Sequence, residues 1–224
     1  ITANNNQVFG ASVDAVGNVS VTNSFFNSNQ GYYYLNGWIY EGYGLQVVTD
    51  GNIILDGVTA NDNYLYGARL EGAVIDVSNS VFSENNSDWH EHSTGFGLQV
   101  VGTGDVTLMN VTANDNQRWG ADITTDGDVE VIDSFFNGNV SYIYSSKGEK
   151  VYYGYGLRID AGDDVSLENV EAMNNNLYGA HIEAQNVAID TANFSGNGSG
   201  DPLDLTGYGL QINSELGVAL IHVT

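Results

Sequence analysis

Cysteine is absent from the 224 residues. That excludes disulfide staples, thiolate metal sites and cysteine nucleophiles. Proline occurs once, at Pro202, so chain reversals fall to the 28 glycines and to Asn and Asp. Lys and Arg number 5 against 28 Asp and Glu, a formal net charge of -23. Phosphate binding needs clustered cations, so this balance excludes a nucleic-acid partner. No run of about 18 apolar residues is present, so no membrane-spanning helix is expected in this segment. The 42% hydrophobic content suffices for one core, and we expect a single domain over residues 1–224.

What is present in quantity is repetition. An aromatic-Gly pair recurs at Phe9-Gly10, Tyr43-Gly44, Tyr66-Gly67, Phe96-Gly97, Trp119-Gly120, Tyr155-Gly156, Tyr178-Gly179 and Tyr208-Gly209. A spacing of 23 residues alternates with a longer one of 30 to 36, so the unit is a short coil followed by an enlarged one. Self-similarity at this period marks a solenoid. Segments such as "GLQVV", "DVTLMNV" and "DVEVIDS" alternate apolar and polar residues at the period of a strand. After each glycine, Ala and Leu alternate from coil to coil at the first inward position, which lets stacked layers interdigitate. Asparagine recurs at a fixed turn, at Asn6, Asn29, Asn63, Asn85, Asn116, Asn139, Asn175 and Asn197. Asparagine tolerates the left-handed backbone region, and its amide can bond to the asparagine one coil away. A structural ladder is expected.

The repeated "GYGLQV", "DVTLMNVTANDN" and "NLYGAHI" resemble the coils of the pectin-lyase-like superfamily along the whole chain. The resemblance implies an all-β right-handed parallel β-helix of about eight coils, alternately short and loop-enlarged. It implies little about activity, because that architecture carries lyases, hydrolases, tailspikes and adhesins. The opening "ITANNNQVFGA" and the closing "GVALIHVT" sit at the same phase of the repeat, and neither reads as a polar or helical cap. The expectation is a segment of a longer array, or a fibre subunit that associates head to tail or laterally.

Between the inward positions, one outward column reads Ser12, Gln46, Arg69, Gln99, Asp122, Arg158, His181 and Gln211. Strand spacing of about 4.8 Å sets Asp122, Arg158 and His181 in a line, with Asp160 and Glu183 beside them. Carboxylates flanking an arginine and a histidine suit acid-base chemistry or a cation. The plain alternative is cross-strand pairing of solvated charges. A polygalacturonase-like site would show NTD, DD, GHG and RIK on successive coils. Here "GDD", "GAHI" and "LRID" are incomplete and out of order, and a pectate-lyase-like site calls for more basic residues than five.

The insertions of the enlarged coils form a row and carry Tyr32, Tyr33, Tyr34, Trp38, Tyr40, Trp89, Tyr142, Tyr144, Tyr152 and Tyr153. Exposed aromatics on long loops suit glycan stacking or a protein contact; folding back to seal the solenoid corner is the competing use. "WHEH" offers His90 and His92 as weak metal ligands. The turns place Asp126, Asp128, Asp163 and Asp164 along another edge, where calcium could bind, although Asp and Gly are ordinary turn residues. No other cofactor is expected. The main expectation is therefore a structural extracellular repeat module of a surface fibre, sheath or adhesin, its aromatic loops forming a contact or glycan-binding surface. The alternative is a polysaccharide lyase or hydrolase acting around Asp122, Arg158 and His181, with Asp160 and Glu183.

Overall fold

The computed structural model describes residues 1–31, 42–86, 95–144, 150–198 and 207–224. Their regular structure is all strand. In chain order the strands are β1 (Phe9–Ala15), β2 (Val19–Phe25), β3 (Tyr43–Thr49), β4 (Ile53–Thr59), β5 (Tyr66–Gly72), β6 (Ile75–Val81), β7 (Phe96–Gly102) and β8 (Val106–Thr112). They continue as β9 (Trp119–Thr125), β10 (Val129–Ile132), β11 (Ser141–Tyr144), β12 (Lys150–Tyr153), β13 (Tyr155–Ala161), β14 (Val165–Glu171), β15 (Tyr178–Asn193) and β16 (Tyr208–Val223). Among the described residues no helix is long and apolar enough to cross a membrane.

Two rows of parallel strands run along the molecule. The first, on the aromatic-Gly side, runs β1, β3, β5, β7, β9, β13, β15 and β16; the second runs β2, β4, β6, β8, β10, β14 and the far halves of β15 and β16. Pairing never slips along the first row: Leu45 faces Ala68, Leu98 faces Ala121 and Leu157 faces Ala180. A one-residue slip would turn every apolar residue outward, so the alternating pattern holds the register. In most coils a Gly- or Asp-containing turn separates the two strands. At "EAQN" neither residue type is present and at "SELG" only Gly217 is; β15 and β16 run through these turns, with a register irregularity between Ala184 and Asn186.

A third side of each coil follows a left-handed residue within or just after the second strand. Asn23, Gly57, Asn79, Asn110, Asp133 and Asn169 hold φ between 45° and 65° there. Asn and Asp bear this conformation better than other side chains. Beyond the bend a buried column runs Phe26, Ala60, Phe82, Ala113, Phe136, Ala172 and Phe194. It alternates in the opposite sense to the first row. Ala68 shares its coil with Phe82, Leu98 with Ala113, Ala121 with Phe136, and Leu157 with Ala172. The size alternation expected to interlock adjacent layers thus also balances volume within each layer, keeping the core near close packing. In the coils of Phe26, Phe82 and Phe136 a serine fills the place of Val58 or Val111, and in the coil of Phe194 an alanine, Ala192, does. Ser80 Oγ accepts from the Val58 backbone N–H at 3.0 Å, and Ser134 Oγ from that of Val111 at 3.1 Å. Bending the strand interrupts its backbone pairing, and these hydroxyls replace the missing acceptors.

The asparagine ladder is continuous. From Asn29 to Asn197, each Oδ1 accepts both the backbone N–H and the side-chain amide of the asparagine one coil before it, beginning with Asn6, at 2.8–3.1 Å. The left-handed conformation expected of these asparagines belongs instead to the residue before each of them. Ser28, Asp62, Glu84, Asp115 and Gly138 carry φ of 56–67°. The ladder side chains must point inward to reach one another, and the preceding residue makes the turn. Glycine after each aromatic is also a packing requirement. A Cβ on Gly97 would lie 2.5 Å from the Gly120 carbonyl oxygen and 2.7 Å from Asn116 Nδ2.

Candidate active site on the outer face

Strands β9, β13 and β15 bring the outward candidates together. Asp122, Arg158 and His181 are direct register partners, and so are Thr124, Asp160 and Glu183. Asp122 is 6% exposed. Its Oδ1 accepts from Arg158 Nη1 at 2.9 Å, and its Oδ2 from Gln99 Nε2 at 3.4 Å. Burial pushes the Asp122 carboxyl above its ordinary value, against the opposing pull of Arg158. Burial works against the Arg158 charge, but the hydrogen bond and charge of Asp122 carry its pKa upward. The other guanidinium nitrogen, Nη2, stands 3.7 Å from Asp160 Oδ2. Arg158 is therefore clamped between two carboxylates, one buried and one half-buried.

One strand further on, His181 lies with its ring stacked on Tyr178 at 5.3 Å and near Tyr155 at 6.3 Å. Its Nε2 is buried, makes no hydrogen bond among the described residues, and sits 3.6 Å from Glu183 Oε1. Beyond Asp160 and Glu183 the surface opens into a cleft of about 660 Å³, lined also by Gln185, Asn213, Ser214 and Glu215.

The aromatics of the first row form a column of their own. Phe9, Tyr43, Tyr66 and Phe96 stack at 4.7–5.0 Å, as do Tyr155, Tyr178 and Tyr208 at 4.8–5.1 Å, with ring planes 11–23° apart. Burial pushes the Tyr66 phenol up to about 12. The stack breaks at Trp119, whose ring stands 89° from Phe96 and 81° from Tyr155. Guanidinium groups occupy its surroundings: Arg118 lies 4.7 Å from the ring centroid and Arg158 5.8 Å. Trp119, Arg118 and Gln99 were not among the candidates from sequence. The available signal was that Trp119 is the one tryptophan in the aromatic-Gly series.

Of the loop aromatics, Tyr142, Tyr144, Tyr152 and Tyr153 belong to the antiparallel β11–β12 hairpin. There Tyr142 pairs with Tyr152, and Lys150 Nζ lies 4.2 Å over the Tyr142 ring. Tyr153 packs 5.6 Å from Arg118, so the hairpin stands beside Trp119. Tyr32, Tyr33, Tyr34, Trp38, Tyr40, Trp89, His90 and His92 lie outside the described residues.

The turn carboxylates have a structural use. Asp105 Oδ1 accepts the Asp128 N–H, Asp128 Oδ1 that of Asp164, and Asp164 Oδ1 that of Asn186, at 2.9–3.1 Å. Asp163 accepts from Gln185 Nε2 at 2.9 Å, and Asp126 is exposed beside the same turns. Among the described residues no group of three or more His, Asp or Glu side chains is placed to hold one metal ion.

No protein-family model and no curated protein matches this chain. Two solved structures resemble it. One is a pectate lyase, Pel9A, 14% identical, with a TM-score of 0.54 over 97% of this chain. The other is the periplasmic alginate epimerase AlgG, 15% identical, with a TM-score of 0.48 over 92% of this chain and 50% of its own. The likeness to the lyase fixes the fold. The chain is a right-handed parallel β-helix. It spans 64% of the length of that lyase.

Proposed function

We propose that the chain is a polysaccharide-acting β-helix, a lyase or hydrolase of the extracellular space or cell surface, with its site on the outer face of β9, β13 and β15. The observation that carries this reading is the clamped Arg158. A buried carboxylate, Asp122, fixes it from one side, while Asp160 and the His181–Glu183 pair stand at the edge of an open cleft. A purely solvated charge pair gives no reason for burying one partner, since desolvation offsets the Coulomb gain. Fixing a cation beside two accessible carboxylates is the preorganisation that acid-base catalysis uses. A pectate lyase shares the fold, which makes a polysaccharide a fitting partner. In this reading Asp122 positions Arg158, while Asp160, His181 and Glu183 face the polymer and the β11–β12 hairpin forms a wall.

The test is depolymerisation of a panel of acidic, neutral and amino-sugar polysaccharides, followed by chain length. Cleavage of at least one polymer, falling at least about a hundredfold in Arg158→Gln, is the expected outcome. An unaffected Arg158→Gln protein would remove the site from this reading. A scaffold role in a surface fibre, sheath or adhesin is the second reading, favoured by the unbroken Asn6–Asn197 ladder. It predicts ordered filaments by electron microscopy and no depolymerisation.

A further inference from the structure

The cleft beside Asp160 and Glu183 carries information about the polymer itself. Among the described residues, every ionisable side chain that lines it is acidic: Asp160, Glu183 and Glu215. The guanidinium on the neighbouring position, Arg158, is already bound to Asp122 at 2.9 Å and faces Asp160 at 3.7 Å. Among the described residues no cation of the cleft is left to receive a sugar carboxylate. The whole chain carries a net charge of -23, which repels a polyanion before contact. The remaining polar lining, Gln185, Asn213 and Ser214, is uncharged; Gln185 Nε2 is held by Gly162 and Asp163, Asn213 Nδ2 donates to Glu183 at 3.4 Å, and Ser214 Oγ is tied to its own turn, which leaves the amide oxygens of Gln185 and Asn213 to accept from sugar hydroxyls.

We infer that the face around Asp160 and Glu183 hydrolyses a glycan that carries no carboxylate, with Asp160 as the nucleophilic carboxylate and Glu183 as the proton-transferring group. The inference rests on the reading of this face as a polysaccharide-acting site. β-Elimination needs a uronate to acidify the departing proton, so a polymer without carboxylates leaves hydrolysis as the route. Asp160 and Glu183 are register partners on adjacent strands, about 4.8 Å apart at the backbone. Both side chains rise from the same outward face of adjacent strands, so one sugar residue can meet both, as the double-displacement route requires.

The partners of each carboxylate divide the roles. Asp160 stands 3.7 Å from the Arg158 cation and takes the nucleophile's role. Glu183 accepts from Asn213 Nδ2 at 3.4 Å, stands 3.6 Å from His181 Nε2 with no arginine or lysine against it among the described residues, and takes the proton-transferring role. In the first step the Glu183 carboxyl gives its proton to the glycosidic oxygen as the anomeric C–O bond breaks, and Asp160 forms an ester to the anomeric carbon. In the second, Glu183 takes a proton from water, whose oxygen attacks that carbon and releases Asp160. The sum is one water consumed and one glycosidic bond cleaved, with the anomeric configuration retained.

The experiment incubates the whole chain with a neutral glucan and xylan, with chitosan, and with polygalacturonate and alginate. Reducing ends and the ultraviolet absorbance of unsaturated uronates are followed together. The expected result is new reducing ends from a neutral or amino-sugar polymer, without unsaturated product. Asp160→Asn and Glu183→Gln should each lower the rate at least about a hundredfold. These replacements are nearly isosteric, and retention of the glycan by Glu183→Gln in affinity electrophoresis shows that the folded face persists. Cleavage confined to the uronate polymers would overturn this inference and leave the polysaccharide-acting reading standing. So would cleavage that survives both substitutions. If no polymer is cleaved, the broader reading fails and takes this inference with it.

Discussion

At the scale of single residues, the ladder asparagines have the least freedom. Asn116 is 1% exposed, and its side chain accepts from Asn85 twice and donates to Asn139. Asn116→Ala leaves the Asn85 backbone N–H and amide without their acceptor inside the protein. An unsatisfied buried donor costs about 1–3 kcal/mol, so a loss of about 3 kcal/mol in urea unfolding is expected. A loss below about 1 kcal/mol would show that the ladder is incidental. Asp122 obeys a different logic, because its folded-state pKa is raised from 3.8, chiefly by burial. The folded protein therefore holds that proton more tightly than the unfolded chain. Its contribution to stability is full below 3.8 and is lost as pH rises through the folded value. Asp122→Asn, which mimics the protonated acid, should gain stability relative to the native sequence between about pH 3 and pH 7. Urea midpoints at both pH values check this, and a constant difference would contradict it.

At the scale of elements, the coil is a unit of fixed volume. Ala121 and Phe136 lie in one coil and both are fully buried. Ala121→Leu overfills the coil and should cost about 1–3 kcal/mol. Phe136→Ala empties it and should cost about 3–5 kcal/mol. The double substitution recreates the Leu98/Ala113 pattern of the coil before it and should cost less than the sum by at least about 1 kcal/mol. Strict additivity would mean that the two positions do not share a packing constraint. Both strand rows and the ladder were legible in sequence, because the second row follows the aromatic-Gly pair at an offset that varies by a single residue, and each ladder asparagine lies a fixed eight residues beyond the second row, as from Leu55 to Asn63 and from Val77 to Asn85. The Phe/Ala column was not. The left-handed residue at Asn79 or Asn110 shifts the inward phase by one, so a plain period-two reading of "DVSNSVF" points Phe82 the wrong way. The place of the ladder asparagines was legible while their backbone conformation was not, because the turn is made one residue earlier.

At the scale of the whole molecule, a regular scaffold carries one irregular face. Repetition made the fold readable, and for the same reason the site stood out only weakly, as a column in which Asp122, Arg158 and His181 replace one another. Spacing placed those three in line. It gave no sign that Asp122 is buried with Arg158 and Gln99 bonded to its two oxygens, nor that Trp119 turns across the aromatic stack. The acidic turns read as candidate cation ligands, and what distance geometry adds is their hydrogen bonding to the next coil. The central claim, that the polymer meets this protein at Asp160 and Glu183, is tested most directly by a crystal structure of Glu183→Gln with a bound oligosaccharide. The account predicts a sugar lying across β13 and β15, with its glycosidic oxygen within hydrogen-bond distance of position 183 and its anomeric carbon facing Asp160. An oligosaccharide seated elsewhere, such as on the second row beside Asp105, Asp128 and Asp164, with the Asp160 face bare, would contradict it.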